Sequence, residues 1–390
     1  MTGLIIAAIL TSAQGLRGYG EFAFLQAIYL IWCTISKPST WQAIIKYAPN
    51  DNLASLAKLS LSTELFSWAA ASLILIVTTI ISSKFLTPPI TAQALAAIII
   101  GSIFANNGTL IGYTRSKGNF SAVAITQLTS SALKVILCTK LSYDPKLFFT
   151  ISTISDGLAW GAATLVIANK IKNEPNKSRK TPRADFVKFS FWGNALLVLD
   201  LPVSQLDKII VSALIGPEAT GALDIMKKTS QAIGQAAAPI NQIIFPKFSE
   251  YAAKGNTKEI EEISKKITTL LIAASVVAVI TIAILFEHIN TLIFSGEISN
   301  YKTLLITYTA VQGLALSFIW VHPLSIIYAR MQSIATALLI SNTLYVLIIL
   351  LMAGKIGITA VVLAFSAQSA TLILQKLYLI KRIKDPGNEK

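Results

Sequence analysis

The chain has 390 residues, 54% of them hydrophobic and 13% charged, with a mean hydropathy of +0.64. Soluble domains carry about 25% charged residues, so this composition excludes a water-soluble fold. The net charge of +14 raises nucleic acid as a partner, and the placement of the basic residues decides that question.

Apolar blocks recur along the whole chain, and roughly 20 residues at 1.5 Å each cross a hydrocarbon core. They predict spans at 1–14, 20–46, 64–83, 91–113, 119–140, 146–169, 186–214, 219–246, 266–286, 300–327, 333–353 and 356–378, twelve in all. The expected fold class is all-α and integral to the membrane. The first span, Met1 to Gln14, is short and lacks the positive n-region of a signal peptide; it tilts, thins the bilayer locally or lacks residues upstream. Pro38 is expected to kink the second span. Lys170 to Lys188 holds two prolines and no apolar run, the composition of a solvated linker dividing six spans from six. The expected organisation is an N-terminal six-helix bundle at 1–172, a cytoplasmic linker at 173–185 and a C-terminal six-helix bundle at 186–390.

An internal repeat supports that division. Leu16-Arg17-Gly18-Tyr19-Gly20 leads into a long helix ending at Lys46-Tyr47. Leu214-Ile215-Gly216-Pro217-Glu218-Ala219-Thr220-Gly221 leads into one ending at Lys247-Phe248. Gly20 to Lys46 and Gly221 to Lys247 are both 26 residues. Tyr113-Thr114-Arg115-Ser116 is echoed by Tyr328-Ala329-Arg330-Met331 at the end of each half's fourth span. Two six-span copies share one orientation, which predicts parallel bundles about a pseudo-two-fold along the membrane normal and suits alternating access.

Alternating the loops between sides sorts the basic residues. Twenty-two fall on one side: Lys46, Lys58, Arg115, Lys117, those from Lys170 to Lys188, those from Lys247 to Lys266, Arg330, and those from Lys376 to Lys390. Six fall on the other: Arg17, Lys84, Lys140, Lys146, Lys302 and Lys355. The positive-inside rule makes the rich side cytoplasmic, with both termini there. The basic residues are spread over separate loops and not gathered on one face, which argues against nucleic acid. Cys33 and Cys138 lie in apolar blocks without a neighbouring His or Cys, and His288 and His322 are far apart, so neither a metal nor a cofactor is expected.

Leu16 to Ala48, Leu206-Asp207-Lys208-Ile209-Ile210 with the following Leu214 to Gly221, and Ile244-Phe245-Pro246-Lys247-Phe248-Ser249-Glu250 resemble the polysaccharide-biosynthesis and O-antigen flippase family (Wzx-like). That family sits in the superfamily of multidrug and toxin extrusion transporters and lipid II flippases. The resemblance implies a fold like those transporters. It also implies flipping of undecaprenyl-diphosphate-linked oligosaccharide, an O-antigen or other surface-polysaccharide unit, in a bacterial inner membrane beside other polysaccharide-assembly proteins. The chain departs from the family in a shorter first helix and in Ser36-Lys37-Pro38-Ser39, which stands where a glycine is common.

Within the spans remain Lys37, Lys134, Lys208, Lys227 and Lys228, with Asp156, Asp200, Asp207 and Asp224. Each costs about 2.5 to 3.5 kcal/mol at the bilayer centre, so these side chains should face protein or water. Asp207 and Lys208 precede the turn at Leu214 by 6 to 7 residues, and Lys227 and Lys228 follow Gly221 by as many, placing both sets about 10 Å deep on antiparallel helices. Asp207 and Asp224 are read as positioning acids, by an i to i+4 step from Asp224 to Lys228 in one case. Either the acids merely hold helices together, or the lysines also attract the cargo's diphosphate. Lys37 is placed to receive the headgroup unless it snorkels, and Lys134 lies near the opposite boundary. Asp156 and Asp200, near span centres, are candidates for proton or sodium coupling, with simple interhelical hydrogen bonding the alternative.

Two other functions compete. A multidrug antiporter for cationic drugs would favour an acidic interior, and five lysines against four aspartates lean the other way. A membrane enzyme such as a polymerase needs a long external loop with clustered acids, Arg or His, whereas 286–302 is short and mostly apolar. Without a P-loop pattern or a catalytic constellation, the chain is not expected to be an enzyme.

Overall fold

The computed structural model describes residues 2–82, 91–105, 107–173 and 181–384. They form α1 (Thr2–Ser36), α2 (Thr40–Tyr47), α3 (Leu53–Ser82), α4 (Ala92–Ser102), α5 (Gly108–Ser116), α6 (Ser121–Leu141), α7 (Pro145–Lys172), α8 (Arg183–Leu201), α9 (Asp207–Leu214), α10 (Pro217–Ala253), α11 (Thr257–Phe294), α12 (Lys302–Ser317), α13 (Val321–Tyr328), α14 (Met331–Ile356) and α15 (Thr359–Lys384). Among the described residues there is no strand. Lys84, Lys177, Arg179, Lys180, Lys390 and most of the expected linker lie outside them.

Among the described residues six helices are long and apolar enough to cross a membrane: Leu53–Val77, Ser121–Leu141, Pro145–Lys172, Thr257–Phe294, Gln332–Ile356 and Thr359–Lys381. Ser299–Ser317 with Val321–Tyr328, bent by 41°, would make a seventh. The expectation of twelve rests on segments that are helical but interrupted. The 20–46 segment breaks between α1 and α2, 91–113 between α4 and α5, and 186–214 at a π-helical turn, Pro202–Leu206.

Proline causes the first of these breaks, and the freed carbonyls explain why it is tolerated. Pro38 has no N–H to give Thr34 O four residues back, and Asn194 Nδ2 donates there instead at 2.9 Å. Ser67 donates its hydroxyl to Ser36 O at 2.9 Å, and Ser39 N–H reaches Ser190 O at 3.1 Å. Between α4 and α5 the carbonyl of Ala105 accepts from Lys37 Nζ at 2.9 Å. Irregular backbone at membrane depth survives where protein groups replace water in this way.

By contact the chain divides into two units, 24–201 and 3–23 with 202–390. The division expected at 173–185 differs from this at both ends: α8 joins the N-terminal unit, and the start of α1 joins the C-terminal one. Gln42 and Ser39 crowd Gly193 of α8, and Ser190 and Asn194 bond across to the α1–α2 break, which binds α8 to the N-terminal unit.

In the N-terminal unit, α7 carries Gly157 and Gly161 four residues apart on the face toward α4. A Cβ on Gly157 would lie 2.5 Å from Gly101 O, and one on Gly161 would lie 3.0 Å from the Phe104 ring, so small residues let these backbones approach. In the C-terminal unit, Tyr308 stacks on Phe365 with ring centroids 4.7 Å apart, and Gly313 of α12 packs on Ser275 of α11.

The sequence repeat has a physical counterpart inside the C-terminal unit. The helical run of α1 is broken only at Gly15 (φ 66°, ψ 178°), and α10 is entered through Gly216 (φ 127°, ψ 174°). These glycines precede Gly20 and Gly221 by five residues each. Gly20 and Gly221 touch: a Cβ on Gly20 would fall 1.7 Å from Pro217 O, and one on Gly221 would fall 2.5 Å from Leu16 O. The two copies of the motif thus pack on each other through the residue that defines them.

Candidate functional site: two buried polar clusters

The first cluster lies in the C-terminal unit. The π turn at Pro202–Leu206 releases carbonyls from the regular ladder, and Lys227 Nζ takes those of Val203 and Ser204 at 2.6 and 3.3 Å. Lys227 also pairs with Asp207 at 2.5 Å, and Asp207 accepts from the Tyr345 hydroxyl at 2.6 Å. Asp224 bridges two lysines, Lys208 at 2.6 Å and Lys228 at 2.6 Å one helical turn along. Tyr19 of α1 donates to Asp224 and accepts from Lys228 Nζ at 2.8 Å, and Lys208 also donates to Gln205 Oε1 at 3.1 Å. The antiparallel α9 and α10 therefore do bring Asp207, Lys208, Asp224, Lys227 and Lys228 together. Three lysines against two aspartates leave one positive charge. The side chains of Lys208 and Lys227 are 6% and 5% exposed, that of Lys228 17%, so Lys228 is the most accessible member.

The second cluster lies in the N-terminal unit and mixes expected residues with one that sequence reasoning missed. Lys134 of α6 pairs with Asp156 of α7 at 3.0 Å, and Ser130 donates to the same carboxylate. Lys37 is buried, its ammonium on Ala105 O, and not open to a headgroup in this structure. Asp200, at the end of α8, is exposed. The missed residue is Glu64 of α3, 2% exposed. Placing the start of that span at residue 64 left Glu64 at an assumed boundary. A signal was nonetheless present: a lone acid follows Ser60, Ser62 and Thr63 within a helix that is apolar on both sides. Tyr19 and Tyr345 were also not predicted; only the adjacency of Tyr19 to the repeat glycine hinted at it.

Near the basic ends of the helices lie cation–π contacts, with Lys46 over Phe189 at 3.9 Å and Arg115 over Trp41 at 5.1 Å, and a mostly apolar cleft of about 600 Å³ lined by Tyr47, Lys188, Phe189 and Trp192. Lys376 and His322 form a further, partly buried polar contact at 3.2 Å in the C-terminal unit. No group of three or more metal-ligating side chains occurs among the described residues.

Polytopic helices with interrupted spans and buried ion clusters make an all-helical integral membrane fold, and solved structures share it. The chain is similar to lipid II flippase MurJ in an inward closed conformation, with TM-score 0.69 and 17% identity over 97% of this chain and 85% of that one. It is also similar to an inward-facing multidrug resistance MATE family transporter of the MOP superfamily, with TM-score 0.67 and 14% identity over 100% and 96%. A MATE structure in the bent conformation aligns at TM-score 0.58 and 14% identity over 98% and 91%. At these identities the likeness is one of fold. No curated protein matches the sequence. The family model described as "Polysaccharide biosynthesis protein" matches residues 1–252, and the chain belongs to that family.

Proposed function

We propose that this multi-pass membrane protein is a flippase moving undecaprenyl-diphosphate-linked oligosaccharide from the cytoplasmic to the outer leaflet by alternating access, in a bacterial inner membrane with both termini cytoplasmic. The observation that carries the proposal is the lysine-rich cluster of the C-terminal unit, in a chain of the polysaccharide-biosynthesis family. A diphosphodiester brings two negative charges, and an ammonium in a partly dehydrated site is a good point-charge partner for it. Lys208 and Lys227 are committed to aspartates and carbonyls, so we assign first contact with the headgroup to Lys228, with Asp224, Lys208 and Tyr19 positioning it. Lys37 and Lys134 are secondary candidates. The net positive charge fits an anionic cargo better than the cationic drugs of an antiporter, and the chemistry is transport without bond-making.

In vesicles carrying a lipid-linked glycan, Lys228→Ala is expected to slow translocation at least tenfold while protein abundance stays constant. Asp224 keeps Lys208 as a partner, so the fold should persist. Wild-type translocation by this variant would sink the headgroup assignment. Coupling to a proton or sodium gradient belongs to the proposal. Of the carboxylates read from sequence, Asp156 is held by Lys134 and Ser130, and Asp200 is exposed.

A further inference from the structure

We propose that the cleft between α2 and α8 is a sugar-binding site that takes the glycan end of the lipid-linked cargo on the cytoplasmic side; this rests on the flippase reading above. Along α8, Asp185, Lys188, Phe189 and Trp192 stand at i, i+3, i+4 and i+7, one stripe of the helix. The face turned away from that stripe, with Phe186, Ser190 and Asn194, is buried within the N-terminal unit. With Tyr47 of α2 and Phe191 the stripe lines the cleft of about 600 Å³, within the roughly 300 to 1,000 Å³ of small-molecule sites.

The walls are fixed before any ligand arrives. Tyr47 meets Phe189 edge to face, with ring centroids 6.1 Å apart at 78°, and leans on the fully buried Phe186 at 6.4 Å. Lys46 covers one face of Phe189 at 3.9 Å. Thr181 N–H reaches Asp51 Oδ2 at 2.7 Å and Ser39 N–H reaches Ser190 O at 3.1 Å, so α8 is tied to the chain on either side of α2. These walls also carry groups open to a ligand. The side chains of Asp185 and Lys188, one turn apart, make no ion pair among the described residues. Trp32 and Trp68 donate their indole N–H to Ser102 and Trp320 donates to Thr268, whereas Trp192, 56% exposed, donates to no described residue.

A sugar ring suits this set of groups better than a phosphate does. A pyranose turns a face of C–H groups outward, which the negative face of an aromatic ring attracts, and its rim of hydroxyls both donates and accepts. Those hydroxyls can donate to Asp185 and accept from Lys188 and the Trp192 indole. An anionic phospholipid headgroup on Lys188 would meet the Asp185 carboxylate one turn away, and an acyl chain has no use for either charge. The depth suits a glycan as well. Asp185 lies two residues and Trp192 nine residues beyond Arg183, where α8 begins, so at 1.5 Å per residue the stripe runs from about 3 to 13 Å along the helix. That is the headgroup layer beneath the solvated linker, in which the sugars of a lipid-linked glycan lie. The cleft then reads the sugars, while Lys228 is assigned the diphosphate.

The test uses the full chain in phosphatidylcholine vesicles with soluble methyl glycosides of a neutral hexose, an N-acetylhexosamine, a 6-deoxyhexose and a uronic acid. On irradiation of the protein's aromatic protons, saturation-transfer difference NMR should show transfer to the ring C–H protons of at least one glycoside. Trp192→Ala should weaken that glycoside's binding about fivefold, the worth of one aromatic contact, and Asp185→Asn should weaken it by a similar factor. Phe66→Ala, which removes a ring 77% exposed on α3, should leave binding unchanged. No transfer to any glycoside in the wild type, or undiminished transfer in the cleft variants, would overturn the proposal. So would spin-labelled phosphatidylglycerol that the wild type immobilises and Trp192→Ala releases while the sugar signals stay unmoved. Should Trp192→Ala fail to insert, Asp185→Asn decides alone. In translocation assays Trp192→Ala should raise the concentration of lipid-linked glycan needed for half the maximal rate and keep the maximal rate, whereas Lys228→Ala lowers the rate itself. If the wild type moves no lipid-linked glycan yet binds glycosides through Trp192, the flippase reading fails and the sugar site stands.

Discussion

In the C-terminal unit each charge of the α9–α10 cluster has a partner of opposite sign within 2.6 Å: Lys227 on Asp207, and Lys208 and Lys228 on Asp224. In the N-terminal unit Lys37 ends on a carbonyl and Glu64 on hydroxyls, each without an ion pair among the described residues, although Lys134 and Asp156 form one nearby. Both arrangements satisfy broken helices and buried polar atoms, but they respond differently to a change of charge. A paired cluster holds its charges fixed and can present the surplus to an anionic ligand. An acid held by hydroxyls can change protonation without dismantling a pair. The contrast is between charges fixed in pairs in one unit and an acid held by hydroxyls in the other.

The largest effect should come from breaking a pair in the C-terminal unit. Asp207→Asn leaves the buried Lys227 ammonium with the Val203 and Ser204 carbonyls but without its carboxylate, and such a loss costs about 3 to 5 kcal/mol. The melting temperature of the purified protein should drop by many degrees, and the double variant Asp207→Asn with Lys227→Met should recover much of it. Glu64→Gln, which breaks no ion pair among the described residues, should leave melting near that of the wild type. If Asp207→Asn and Glu64→Gln were equally destabilising, the distinction between paired and unpaired clusters would collapse.

A smaller loss is expected where the two copies of the repeat touch. Gly20→Ala would force its Cβ onto the Pro217 carbonyl, a backbone atom held by the N-terminal turn of α10. Overpacking of this kind costs about 1 to 3 kcal/mol. It should appear as reduced thermal stability, together with altered mobility of a spin label near Tyr19, because Tyr19 and Asp224 flank the contact. Gly354→Ala, at an open position on α14, is the matched control and should be silent. A silent Gly20→Ala would mean that the contact is loosely held.

How much of this was legible in the sequence follows from which physical signals are one-dimensional. Period, hydropathy and loop charge revealed the helices, the repeat and the C-terminal ion cluster, because Asp207, Lys208, Asp224, Lys227 and Lys228 share one hairpin whose geometry is set by helical rise. Glu64 and the hydroxyls of Thr40 and Thr109 that face it come from three separate helices, so their meeting depends on tertiary packing that no local spacing encodes. Pro38 announced a kink, but only the folded chain shows Asn194 completing it from more than 150 residues away. The unit boundary escaped notice for the same reason: a polar linker marks a gap in hydropathy, whereas α8 is assigned by the carbonyls it serves.

The smallest effect concerns charges outside the membrane, where the same chemistry should count for little. Lys254 donates to Glu250 at 2.6 Å, holding the Glu250 carboxyl below its ordinary range and the Lys254 ammonium above its own. The sign follows from the depressed acid: any stabilisation is present at neutral pH and fades as pH falls through the carboxylate range. Both side chains are 60% exposed, so water and salt screen the pair. Glu250→Gln should therefore melt with the wild type at pH 7, at low and at high salt alike. A clear salt-dependent loss would show that exposed pairs at the helix ends carry weight, and would narrow the contrast with Asp207 and Lys227, whose distance is nearly the same but whose surroundings are dry.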